Sequence, residues 1–309
     1  MASCLQYSHL AVAVTDVPQA EAFYGLVGFH RRGSPDAKEG IVSNDAGLTL
    51  TFVPSTLPPP DGKNILMDMP GDCKYPGINH MSFGVPSVSS TKSYLHAVAP
   101  ESISGTRGKG GNLAVFIRDP SRNTLEFERN DGVDNTDPVD ATVLSSPPRG
   151  GIDHVGIRVA DAAAAAEWYG KTLGFSRVTH RYNLDDDPLK NSSPWIIRTS
   201  NGPAMDINLI PNCSNKLAYN ALLPPSSKGN RDIYPGIIYV AFTVKSVQEA
   251  RTALSSMGVD TYTDAEVEQI GLPKSAVTPV QDATALQDCT DSLFLCDPDR
   301  NIIRIVGPP

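Results

Sequence analysis

Three histidines and a glutamate fall where side-chain chemistry is costly unless it is used. His9 lies in the segment SHLAVAV (8–14), His80 in INHMSFGV (78–85), His154 in DHVGIRV (153–159) and Glu126 in TLEFE (124–128). Each segment alternates with period two, the signature of a strand with two unlike faces. Leu10, Val12 and Val14 oppose His9, Ala11 and Ala13, and Met81, Phe83 and Val85 oppose His80, Ser82 and Gly84. Leu125 and Phe127 oppose Glu126 and Glu128. A carboxylate on an inward face costs several kcal/mol unless it is paired or metal-bound. Glu126 is therefore a candidate for ion pairing or metal ligation, with His80 as a candidate partner. A lone strand histidine is as often an ordinary core residue, so His9 and His154 carry both readings.

The elements that must position these residues are repeated. SHLAVAV returns as DHVGIRV, each followed by an acidic helix cap (Asp16, Asp161), an aromatic pair and a Gly-Phe stop at Gly28-Phe29 and Gly174-Phe175. YPGINHMSFGV (75–85) returns as YPGIIYVAFTV (234–244), and FIRDPSRN (116–123) as FLCDPDRN (294–301). A weaker repeat inside each half gives four units, starting near His9, His80, His154 and Tyr239. Residues 131–150 are polar and proline-bearing and read as a linker between domains at 1–130 and 151–309. Residues 266–291 read as an insertion in the last unit, and the loop 56–63 as a shaper of specificity. Small and polar residues lining one face of several strands imply a curved sheet around a wet cavity.

On these motifs, in this order, the chain resembles the vicinal oxygen chelate superfamily, which includes glyoxalase I, extradiol ring-cleaving dioxygenases and bleomycin-resistance proteins. The resemblance implies an α+β fold of four βαβββ modules paired into two curved eight-stranded cup-like domains. It also implies one divalent metal ion, held by one residue from each of four strands. Carried over by position, the ligand sites are His9 and Thr49, His80 and Glu126, His154 and Asp206, then Tyr239 and Arg304. Threonine is a poor ligand and arginine cannot coordinate a cation. Two pairings remain. Within each half, His9, His80 and Glu126 form a triad with open positions that suits iron(II) or manganese. Across the linker, His80, Glu126, His154 and Asp206 form a full set for zinc, nickel or manganese, and the losses gather in the other cup, which favours this pairing.

The resemblance implies a small carbonyl or phenolic substrate chelated through neighbouring oxygens. A ligand carboxylate such as Glu126, or a nearby base, would then move a proton in an isomerase or lyase reaction. Iron(II) ring cleavage is the alternative, weakened because Phe116 and Phe294 stand where extradiol members carry tyrosine. Arg31, Arg32 and Arg107 are the basic candidates for glutathione carboxylates and make no convincing set. A metal-free binding or resistance protein is the third reading.

Bulk properties agree with a small-molecule site. The 309 residues carry 26 basic and 34 acidic side chains, a net charge of −8, which speaks against nucleic acid or an anionic membrane as partner. Five scattered cysteines without a C-x-x-C pair suggest free thiols, and neither a signal segment nor a spanning run is legible, so a cytoplasmic protein is expected. Asp119-Pro120 and Asp297-Pro298 read as turn chemistry, and His30, His96 and His180 as surface residues. Fused halves supply two module pairs, so a monomer suffices and a dimer is possible.

Overall fold

The computed structural model describes residues 5–32, 40–64, 66–68, 75–108, 113–129, 147–148, 150–178, 195–198, 206–210, 232–269 and 292–308. The linker expected at 131–150 and the insertion at 266–291 lie mostly outside these residues, as do His180 and all cysteines but Cys296.

Each module opens with a strand and a helix. The first runs β1 (Gln6–Val14), α1 (Val17–Leu26), β2 (Phe29–Arg32), β3 (Gly40–Asn44) and β4 (Thr49–Pro54). The second runs β5 (Gly77–Gly84), α2 (Val88–Val98), β6 (Ile103–Arg107), β7 (Ala114–Arg118) and β8 (Thr124–Glu128). The third runs β9 (Ile152–Arg158), α3 (Ala162–Leu173), β10 (Ser176–Val178), β11 (Trp195–Arg198) and β12 (Asp206–Ile210). The fourth runs β13 (Gly236–Thr243), α4 (Val247–Ser256), the short α5 (Asp264–Gln269), β14 (Ser292–Cys296) and β15 (Ile302–Val306).

The caps read from the sequence start the helices. Asp16 accepts the Gln19 amide at 2.8 Å, and Asp161 accepts those of Ala163 and Ala164, which satisfies first-turn donors. Ser87 and Ser246 do the same for α2 and α4. Gly174 ends α3 at φ 75°, a left-handed turn that glycine enters without a Cβ penalty.

Strand pairing decides which modules belong together. β5 pairs antiparallel with β9, and β1 with β13, so each cup takes one module from either side of the linker. The first cup is ordered β6-β7-β8-β5-β9-β12-β11-β10, eight strands. The second is ordered β14-β15-β13-β1-β4-β3-β2. The two meet at the Ile78–Ile237 pairing of β5 with β13, which joins all 15 strands in one open sheet system.

The outer faces carry the core. Leu10, Val12, Leu50, Phe52, Met81, Phe83, Leu125, Phe127, Val155 and Ile157 are buried with Phe23, Tyr24 and Tyr169 from the helices. The halves are nevertheless tied within themselves by the Asp-Pro turns. Asp119 accepts the Asn123 amide at 2.7 Å and its side-chain amide at 2.8 Å, and the Tyr24 hydroxyl of α1 donates to it at 3.4 Å. Asp297 repeats this with Asn301 and with Tyr169 of α3 at 3.2 Å. Burial pushes the Asp119 carboxyl up to about 6 and that of Asp297 up to about 7, against the pull of those donors. Among the described residues no helix is long and apolar enough to cross a membrane.

Candidate metal centre

Cross-strand register places the candidates in one row over the floor of the first cup. Phe116 on β7 pairs with Glu126 on β8, Glu126 with Ser82 on β5, Ser82 with His154 on β9, His154 with Asp206 on β12, and Asp206 with Arg198 on β11. Residues paired in register share a face, so all six side chains lie on the concave side. His80 stands two residues before Ser82 on β5 and joins them.

Three donor atoms converge there. His80 Nε2 and His154 Nε2 are 2.9 Å apart, and Glu126 Oε2 lies 3.2 Å from the first and 3.4 Å from the second. Donors about 2.0–2.2 Å from one ion stand roughly 3.0 Å apart at right angles and roughly 3.4 Å apart at the tetrahedral angle. The triangle therefore fits a single divalent ion as it stands. All three residues are buried.

The neighbours fix which nitrogens face the centre. His80 Nδ1 lies 2.9 Å from Asn79 Oδ1, an acceptor, so Nδ1 carries the proton and Nε2 presents its lone pair. His154 Nδ1 lies 2.8 Å from Asp153 Oδ2 and 2.9 Å from Glu128 Oε1, which sets the same orientation. Arg107 Nη2 reaches in from the rim, 3.1 Å from Glu126 Oε1 and 2.7 Å from Glu128 Oε2. Room for the His80 ring comes from Gly156, where a Cβ would stand 2.0 Å from His80 Cε1.

Electrostatics follow from this packing. Burial works against charge on Glu126, but Arg107 and the two histidines outweigh it and hold its carboxyl well below the usual range. Burial also opposes a charged His154, yet Asp153, Glu126 and Glu128 around it raise its pKa well above the ordinary value. His80, with burial as the larger effect, is pushed down. In the metal-free protein the carboxylates around His154 favour a proton on its ring. A divalent ion is the alternative to that proton, since two facing lone pairs and a carboxylate need one cation or the other.

Asp206, the fourth residue expected here, is brought into the row but not into the triangle. Its carboxylate is gripped by Arg198, Nε to Oδ1 at 2.6 Å and Nη2 to Oδ2 at 3.1 Å. His9, offered by the other pairing, lies in the second cup. The equivalent row there reads Phe294, Arg304, Ala241, His9, Thr49, Ser43. Arg304 takes the place of Glu126, donates to the Tyr239 hydroxyl at 3.0 Å and stacks on Phe294 with 5.1 Å to the ring centroid. Asp264 faces Arg304 at 3.6 Å. Burial, with Arg304 adding, pushes His9 down to about 3, so it is neutral and lies 3.4 Å from the Tyr239 hydroxyl. Arg304 thus puts a fixed positive charge where the first cup has Glu126, which works against a cation in this cup.

Of the residues around the centre, Asp153, Glu128, Asn79, Gly156 and Arg198 were not singled out from sequence. Glu128 had a signal, because it shares the face of Glu126. Arg198 had none, since only strand pairing brings it to Asp206. Arg107 was noted as a basic candidate and serves Glu126. His30 and His96 are exposed, as expected.

The sequence profile of the Glyoxalase/Bleomycin resistance protein/Dioxygenase superfamily matches residues 6–127 and 151–268. No curated protein matches the chain. Among solved structures, glyoxalase I from Zea mays superposes with a TM-score of 0.52 at 15% identity, covering 98% of this chain and 92% of that one. A Bacillus subtilis protein provisionally assigned as a dioxygenase superposes with a TM-score of 0.59 at 13% identity, covering 100% and 87%. At such identities these likenesses speak for the fold.

Proposed function

This chain belongs to the Glyoxalase/Bleomycin resistance protein/Dioxygenase superfamily, and from that premise we propose a divalent-metal-dependent, glyoxalase-like enzyme with one working centre per chain. His80, Glu126 and His154 hold the ion, and the substrate is a small carbonyl or phenolic compound with two neighbouring oxygens. The observation that carries this reading is the convergence of three buried donor atoms within 3.4 Å, both histidines having their other nitrogen tied to an acceptor. When bound, the ion supplies Lewis acidity toward the two substrate oxygens.

The chain's own residues do the rest. Asp153, Glu128 and Asn79 hold the imidazoles in one tautomer and orientation. Arg107 lies 3.1 Å from the second oxygen of Glu126 and holds the carboxyl ionised as a ligand. Its low basicity makes Glu126 a ligand first and a proton carrier second. With both Asp206 oxygens engaged by Arg198, the proton from a substrate carbon falls to Glu126 or to a nearby base, giving isomerase or lyase chemistry.

Two histidines and a carboxylate on one face also match the arrangement that iron(II) oxygenases use, and this observation supports ring cleavage as a second reading. Elemental analysis of unchelated protein separates the two. About one equivalent of zinc, nickel or manganese directs assays to isomerisation and elimination, and iron directs them to anaerobic work with catechols. No metal after reconstitution would overturn both.

A further inference from the structure

Asp206 sits where a fourth ligand could sit, yet both of its oxygens are spent on Arg198. Register places it beside His154 on the concave face, and it is buried. Its oxygens do not join the group formed by His80, Glu126 and His154, whose donor atoms all lie within 4.8 Å of one another. Arg198 approaches from the next strand with its side chain 41% exposed, using the two-pronged geometry in which a guanidinium matches a carboxylate.

The second cup supplies a comparison inside the same chain. The two positions equivalent to Arg198 and Asp206 are Ser43 and Thr49, whose hydroxyls lie 3.0 Å apart. Both cups therefore bond these two positions to each other. Only the cup with the ligand triangle uses an ion pair for it. A carboxylate buried in an ion pair is expensive to maintain for stability alone, so a charged version beside the ligands calls for a reason in the site's chemistry.

We propose that Arg198 is a positioning residue that holds Asp206 off the metal, so that the centre keeps three protein ligands and leaves its remaining positions to the two oxygens of a substrate. The inference rests on the metal-centre reading above. Removing Arg198 breaks the ion pair that holds the buried carboxylate, and Asp206, in register beside His154, then becomes a fourth ligand. Substrate must then compete for fewer positions.

The test uses cobalt(II) alone as the probe on the full chain, with affinity from competition against a chromophoric chelator and the visible spectrum as a report of coordination. Arg198→Gln is expected to bind cobalt about tenfold more tightly and to change the visible bands. Asp206→Asn alone is expected to bind as wild type does, and the double variant to lose the gain. Arg198→Lys, which keeps charge without the fork, should fall between wild type and Arg198→Gln. Weaker cobalt binding by Asp206→Asn would show that Asp206 is already a ligand, and unchanged binding by Arg198→Gln would show that it is not withheld. Either result overturns the proposal. Failure of the metal-centre reading looks different: wild type would not bind cobalt, or His154→Ala would bind it equally well.

Discussion

The Nε2 atoms of His80 and His154 lie 2.9 Å apart across 74 residues of chain, on antiparallel strands contributed by opposite sides of the linker. That one contact chooses between the two module pairings open to the sequence, and it sets where the chemistry of the molecule can be tested.

Removing a ligand should empty the first cup and leave the second indifferent. His154→Ala or Glu126→Gln is expected to lower metal affinity by more than about 100-fold, a larger loss than that of an outer-shell partner. His9→Ala should bind one equivalent, as wild type does. Equilibrium dialysis with metal analysis measures both, and a loss in His9→Ala would favour the pairing within halves.

Metal binding should expel a proton. The raised pKa of His154 means that the cluster carries a proton at neutral pH, which an incoming ion displaces. Affinity is therefore expected to rise with pH, by about tenfold per unit while His154 remains protonated in the metal-free protein. Calorimetry in buffers of different ionisation enthalpy counts the protons, and a pH-independent affinity would contradict this account.

Gly156→Ala should damage the centre without touching a ligand. Its Cβ would fall 2.0 Å from His80 Cε1 and 2.6 Å from Asn79 Oδ1, so the imidazole and its partner both have to move. A loss of about 10–100-fold in metal affinity is expected, with destabilisation of about 1–3 kcal/mol. Denaturant titration beside metal competition separates the two effects.

His9 should stay neutral through the physiological range. Its pKa, lowered from 6.5 to about 3 by burial and then by Arg304, lies below its unfolded value. The stability it contributes is thus complete above about pH 6.5 and is lost as pH falls from there toward 3. Ring resonances of His9 followed by NMR should show no titration step between pH 8 and 5, and a midpoint near 6.5 would refute its burial beside Arg304.

The fold was legible because repetition and alternation are local properties. The strand faces of Leu10, Met81 and Leu125, the caps Asp16 and Asp161, and the turns at Asp119 and Asp297 follow from residue type and spacing. Each reappears in place in the structure. His80 and Glu126 were legible as ligand candidates for the same reason, since a charge on an inward strand face is unusual wherever it occurs.

What sequence order could not decide was adjacency. Whether His80 meets His9 or His154 depends on which strands pair across the linker, a sum of weak contacts over the whole sheet with no residue that declares it. The same pairing set Arg198 against Asp206, Arg107 against Glu126, and the His80 ring over Gly156. Residue types determined that this chain could hold a metal, while tertiary packing, by choosing the neighbours of each donor, decided which donors share a face and which is held apart.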